Sequence, residues 1–113
     1  MDHVETLKKY QPQIVICSWM SMGLDLTADF RKASSVQEYI LIGEVDYGVS
    51  GMALETWGIG KTNERPPYER DGFKRVQLDK ISLFQISRSD TPFVKFHTKT
   101  TSFRRLRSER EEL

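Results

Sequence analysis

The apolar positions of this chain fall into a few distinct patterns. In residues 2 to 10, Val4, Leu7 and Tyr10 recur at helical spacing, with Asp2 early and Lys8 and Lys9 late, the charge order that suits a helix dipole. This predicts a short helix ended by Pro12. The next stretch, "QIVIC" at 13 to 17, is a continuous β-branched run and predicts a strand covered on both faces. "LTADFRKA" at 26 to 33 reads as a helix, capped by Asp25 or Thr27. "QEYILIGEV" at 37 to 45 reads as a second buried strand, interrupted by Gly43.

The pattern then weakens. Residues 46 to 72 hold five of the seven glycines and two of the four prolines, so most of this stretch predicts loop, with helical turns near Met52 to Trp57 and Tyr68 to Arg70. Of "FKRVQL", "ISLFQISR" and "FVKFHTKTTSFRR", the last two read as strands, and the Ser-Asp-Thr-Pro between them suits a hairpin loop. The end, "RRLRSEREEL", is dense in charge. The expected order is helix, strand, helix, strand, long loop and an antiparallel strand pair. Two buried strands joined by a helix form a right-handed unit with a parallel pair. The sheet is therefore expected to be mixed, in one α/β domain over 1 to 103, with a charged tail at 104 to 113.

Composition narrows the chemistry. The 113 residues suffice for one core but not two. Seventeen basic and 16 acidic residues leave a net charge of +1, which gives no electrostatic reason to expect nucleic acid or an anionic membrane as a partner. No apolar run approaches the roughly 18 residues of a membrane span, and the polar N-terminus does not read as a signal peptide. An intracellular, cytoplasmic protein is the natural expectation. Cys17 is the only cysteine, so an internal disulfide or a cysteine-based metal site is excluded.

The strings "VICSWMSMGLDLT", "VQEYILIGEVDYGVSG", "ETWG", "PPYERDGFKRVQLDKIS" and "TTSFRR" resemble a little-characterised eukaryotic group of class I S-adenosylmethionine-dependent methyltransferase-like proteins. The element order is similar to the C-terminal half of that fold. The resemblance implies a truncated Rossmann-like sheet of about four strands, two parallel plus a C-terminal antiparallel hairpin, in the spatial order first, second, last, third. It also implies that "CSWM", Cys17 to Met20, lies at the loop such enzymes turn toward the transferred methyl group. The Gly-rich turn and the ribose-binding acid of their N-terminal half have no counterpart here. "GIGK" at 58 to 61 follows no strand. No cofactor and no catalytic or metal-binding residue is therefore expected.

With the strand that precedes it in the full fold absent, Gln13, Ile14, Val15, Ile16 and Cys17 are expected to form a sheet edge. That edge is uncharged and is expected to associate with a second copy or another protein. Trp19, Met20, Met22 and Trp57 are the candidate partner-facing patch, weighed against packing in the core. Cys17 as a nucleophile lacks a base, since neither His3 nor His97 is placed beside it, and a buried inert thiol is expected. Glu44, Asp46 and Glu55 read as loop-capping or water-facing acids, and His97 as a strand residue. Arg104, Arg105, Arg107 and Arg110 read as a solvated tail neutralised by Glu109, Glu111 and Glu112. The expected function is a non-catalytic interaction module, acting through a homodimer or by binding a cellular protein in a regulatory or toxin-like role. The alternative is one half of a split or vestigial methyltransferase that needs a partner chain.

Overall fold

The computed structural model describes residues 2–44, 50–60, 64–82 and 98–107. In chain order the elements are α1 (His3–Tyr10), β1 (Ile14–Ser18), α2 (Thr27–Lys32), β2 (Glu38–Glu44), α3 (Ala53–Trp57), α4 (Pro67–Arg70), β3 (Phe73–Gln77), α5 (Asp79–Ser82) and β4 (Thr98–Arg105). The strands form one four-stranded sheet in the order β1-β2-β4-β3. β1 and β2 are parallel, with Ile14 beside Glu38 and Ser18 beside Ile42. β4 runs antiparallel to both β2 and β3. This is the mixed α/β sheet expected from the pattern of apolar runs.

Local chemistry sets the boundaries. Asp2 accepts a hydrogen bond from the Glu5 amide at 2.8 Å and so caps α1. Gln11 then takes a left-handed conformation, φ 43°, and turns the chain into β1. The N-cap position of α2 falls to Leu26, which offers no side-chain cap, rather than to Asp25 or Thr27; Asp25, one residue earlier, accepts from the Thr27 amide at 3.1 Å and the Thr27 hydroxyl at 2.6 Å. Pro67 opens α4, where a missing amide hydrogen costs nothing.

One face of the sheet carries the core: Leu7, Met20, Phe30, Val36, Tyr39, Leu41, Trp57, Phe73 and Phe103. Its centre is aromatic. Tyr39 stacks on Phe103 with centroids 4.7 Å apart and meets Phe73 at 5.4 Å and Phe30 at 5.8 Å. Tyr68 meets Phe103 edge-on at 5.2 Å. Two glycines make the close approaches possible. A Cβ on Gly43 would lie 2.6 Å from the Ser50 hydroxyl oxygen and 3.4 Å from the Trp57 ring. A Cβ on Gly58, at φ 73°, would overlap the ring of Tyr68.

Three expectations are corrected. The third described strand is "FKRVQ", which was not among the expected strands; of "ISLFQISR", Ile81 and Ser82 close α5, and 83 to 88 lie outside the described residues. β3 and β4 are antiparallel neighbours that residues 78–97 separate in sequence, and the expected hairpin loop at 89 to 92 lies outside the described residues. Arg104 and Arg105 belong to β4 rather than to a tail from residue 104. Arg105 donates to the carbonyls of Val36, Arg31 and Ala33 at 2.9 to 3.1 Å, and its guanidinium sits 4.5 Å from the centroid of Phe73. Lastly, β1 is not covered on both faces, because Ile14 and Ile16 are 55% and 65% exposed. A continuous β-branched run reports a preference for strand and for burial, but not what supplies the second layer.

Candidate functional site

β1 alternates. Val15 and Cys17 are half-buried and pack against the core, whereas Ile14, Ile16 and Ser18 are exposed on the opposite face. The parallel register places Ile16 beside Ile40 and Ser18 beside Ile42, so half-buried Ile40 and Ile42 extend the apolar surface of Ile14 and Ile16. Among the described residues β1 pairs only with β2, so its other side is an open edge.

Hydrogen-bond parity shows which backbone groups face that edge. The Gln13 carbonyl accepts from Glu38 at 3.2 Å, and the Trp19 amide donates to the Ile42 carbonyl at 2.7 Å. Odd-numbered positions of this segment therefore bond toward β2. The amides and carbonyls of Ile14, Ile16 and Ser18 point outward. No hydrogen bond to these groups is present among the described residues. The expected edge, Gln13 to Cys17, thus resolves into two sets. Ile14 and Ile16, with Ser18 added, face outward in both backbone and exposure. Gln13, Val15 and Cys17 are bonded inward. Sequence reasoning passed over Ser18 and the flanking Ile40 and Ile42; the period-two alternation counted from Pro12 was the signal available.

At the carboxyl end of β1 the chain breaks sharply. Trp19 takes a left-handed conformation, φ 56°, unusual for a bulky side chain. A polar zipper then joins 20 to 25 with 50 to 56. The Met20 carbonyl accepts from the Gly51 amide at 3.1 Å and the Ser50 hydroxyl at 3.0 Å. The Gly23 amide donates to the Gly51 carbonyl at 3.0 Å. Asp25 accepts from the Thr56 hydroxyl at 2.9 Å. The Trp57 indole donates to the Ser50 carbonyl at 2.8 Å.

This zipper corrects the proposed patch. Met20 and Trp57 are 6% and 2% exposed and belong to the core. Trp19 is half-buried, and only Met22, 72% exposed, presents its whole side chain. Leu24 and Met52, absent from the expectation, are exposed beside this loop pair.

Among the described residues the remaining candidates form no cluster of metal-ligating groups. Burial pushes the Cys17 thiol pKa up, which disfavours the thiolate. Glu55 is exposed. Asp46, His97, Glu109, Arg110, Glu111 and Glu112, with the side chain of Glu44, lie outside the described residues. Arg104 pairs with Glu38 at 3.2 Å, and the Ser102 hydroxyl donates to the same carboxylate. Among the described residues no cluster of His, Cys, Asp or Glu could hold a metal ion, and no helix is long and apolar enough to cross a membrane. A shallow cleft of about 760 Å³ lies between α1 and the end of α2, lined by Val4, Leu7, Lys8, Lys32 and Ala33 among others. His3 Nε2 meets Asp29 at its margin, 2.6 Å apart. No family model, curated protein or solved structure matches this chain.

Proposed function

We propose that this chain is a non-catalytic protein-interaction module that associates with a second copy of itself through the open edge of β1. One observation carries the reading: an uncharged five-residue strand whose outward residues, Ile14 and Ile16, are 55% and 65% exposed. Unpaired amides and carbonyls beside apolar side chains are a template for strand addition. Burying an Ile side chain is worth about 1.5–3 kcal/mol, an incentive that a polar strand lacks. The absence of charge from Gln13 to Ser18 suits a twofold partner, because no like charges are brought together. The role is regulatory or toxin-like, in an intracellular, cytoplasmic setting, and needs no cofactor. Light scattering coupled to size exclusion tests it. A dimer mass that falls toward monomer on dilution is expected; a monomer at high micromolar concentration would sink the reading.

A second reading rests on topology. The order β1-β2-β4-β3, with β4 antiparallel to β2, is the order that the methyltransferase resemblance implies. In that reading the chain is the acceptor-side half of a truncated Rossmann-like domain, and the open edge receives a strand of a different chain that carries the cofactor half. Calorimetric titration with S-adenosylmethionine separates the two readings. The protein alone gives no specific heat under either one, and a partner chain that restores binding would favour the second.

A further inference from the structure

We infer that two copies of β1 pair antiparallel about a twofold axis at Ile16, each Ile16 facing its counterpart and Ile14 facing Ser18 of the second copy. This inference rests on the self-association proposed above and specifies its register. Only residues whose backbone groups point outward can form the hydrogen-bonded pairs of an added antiparallel strand. On β1 these are Ile14, Ile16 and Ser18, because Gln13 and Trp19 at the two ends are bonded toward β2. Pairing Ile16 with Ile16 and Ile14 with Ser18 matches all three residues with all three of the second copy.

The neighbouring registers each lose a match. Sliding one way sets Ser18 against Pro12, which has no amide hydrogen to donate. Sliding the other way sets Ile14 against Met20. That residue lies beyond the left-handed turn at Trp19, φ 56°, and its carbonyl is already taken by Gly51 and Ser50. Pro12 and Trp19 thus bracket the strand and leave one full register. The Trp19 conformation gains a role here, as the stop that ends the pairing edge.

A twofold axis perpendicular to the sheet keeps like faces together. Ile14 and Ile16 of both copies then form one apolar row flanked by Ile40 and Ile42, and the sheet continues across the axis. The parallel alternative turns one copy over. It would set the exposed Ile14 and Ile16 face of one copy level with the helix-covered face of the other.

The register also fixes the pairs on the core side. Val15 falls opposite Cys17 of the second copy, in a non-hydrogen-bonded pair with Cα atoms about 4.5 Å apart. That separation lies within the span of a disulfide, roughly 4.4–6.8 Å. Val15→Cys in the otherwise native chain therefore reads the register directly. After mild oxidation with copper phenanthroline, the expected main product is a covalent dimer in which peptide mapping joins position 15 to Cys17. A main product joining position 15 to position 15, or Cys17 to Cys17, would overturn the register while leaving self-association standing. A light-scattering mass of one chain for the unmodified protein would overturn both. If Val15→Cys does not fold, Ile16→Cys with Cys17→Ser serves instead. It should link at position 16, and a dimer that fails to link there would overturn the register.

Discussion

The two edges of the sheet are built from opposite chemistry. β3 carries Lys74 and Arg75 within five residues, and polar contacts hold it in place. The Arg75 guanidinium donates to the Trp57 carbonyl at 3.0 Å. Just before the strand, Asp71 accepts from buried Arg31 at 2.7 Å, and Arg31 also donates to the Tyr39 hydroxyl at 3.0 Å. β1 has no charged side chain and is held by its ladder to β2 and by the apolar contacts of Val15 and Cys17. Charge on an edge strand is a common guard against pairing with another chain. One edge has the guard and the other lacks it. The difference supports the proposal that a second chain pairs with β1.

The sharpest way to break this comparison uses proline at two adjacent positions of β1. The Val15 amide points toward β2, so Val15→Pro removes a ladder hydrogen bond and should cost about 3 kcal/mol or more, enough to unfold a small domain. The Ile16 amide points outward. Ile16→Pro removes only a donor at the open edge, and the preceding residue is already extended, as proline requires. Circular dichroism should show Ile16→Pro folded, and light scattering should show it monomeric. If both variants unfold alike, the assigned parity of β1 is wrong.

How much of this contrast was legible in the sequence differs by strand. The β-branched runs of β1 and β2 announced themselves. β3 did not, because "FKRVQ" buries only Phe73 fully and fills its remaining positions with polar or part-exposed side chains. Its strand character comes from pairing with β4, a long-range contact with no local period. "ISLFQISR" drew a strand expectation because it is apolar, and most of it lies outside the described residues. The patch failed for a related reason: Met20 and Trp57 are buried by the zipper between 20–25 and 50–56, which links segments some 30 residues apart. The chemistry of the edge was legible in Gln13 to Cys17. Which of those residues face outward was not, since that depends on how β1 bonds to β2.

The aromatic core between the two edges should also answer to pH. Burial pushes the Tyr39 hydroxyl pKa up to about 12, against the opposing pull of Arg31 beside it. In the unfolded chain the value is about 10. Between these limits the unfolded state releases a proton that the folded state keeps, so stability is full below about pH 10 and falls as pH rises toward about 12. The loss is on the order of 2–3 kcal/mol. Urea denaturation at pH 9 and pH 11.5 should show it, and Tyr39→Phe should flatten the slope by about that amount. An equal slope in both proteins would show that Tyr39 is not the group responsible.

Ile16→Lys probes the open side with charge rather than backbone. In the register proposed, the two new ammonium groups would lie opposite each other across the axis, with Cα atoms about 5.5 Å apart. Like charges so placed repel, and the Ile–Ile contact is lost as well, so association should weaken by about 1–2 kcal/mol, roughly tenfold in Kd. The repulsion is screened by salt, so part of the affinity should return at 1 M sodium chloride. Sedimentation equilibrium at low and high salt checks both. A Kd unchanged from the native protein would place Ile16 away from the interface.

The smallest expected effect comes from removing the guard on the other side. In a twofold pairing of β3 centred on Arg75, that guanidinium would face its own copy, with Lys74 beside it adding to the repulsion. Lys74 is exposed, and no ion pair engages it among the described residues, so Lys74→Val should leave the fold intact. The change leaves "FVRVQ", a better strand sequence with one charge fewer. Arg75 is tied back to the Trp57 carbonyl and remains as the second guard, so the gain in self-pairing should stay below about 1 kcal/mol. The test belongs in the Ile16→Pro background, where pairing through β1 is blocked and any dimer must use another surface. Sedimentation velocity should show weak, concentration-dependent association in the double variant and none in Ile16→Pro alone. If Ile16→Pro alone still dimerises, the open edge is not β1, and the contrast between the two edges loses its functional meaning. If Lys74→Val adds nothing, Arg75 is sufficient as a guard by itself.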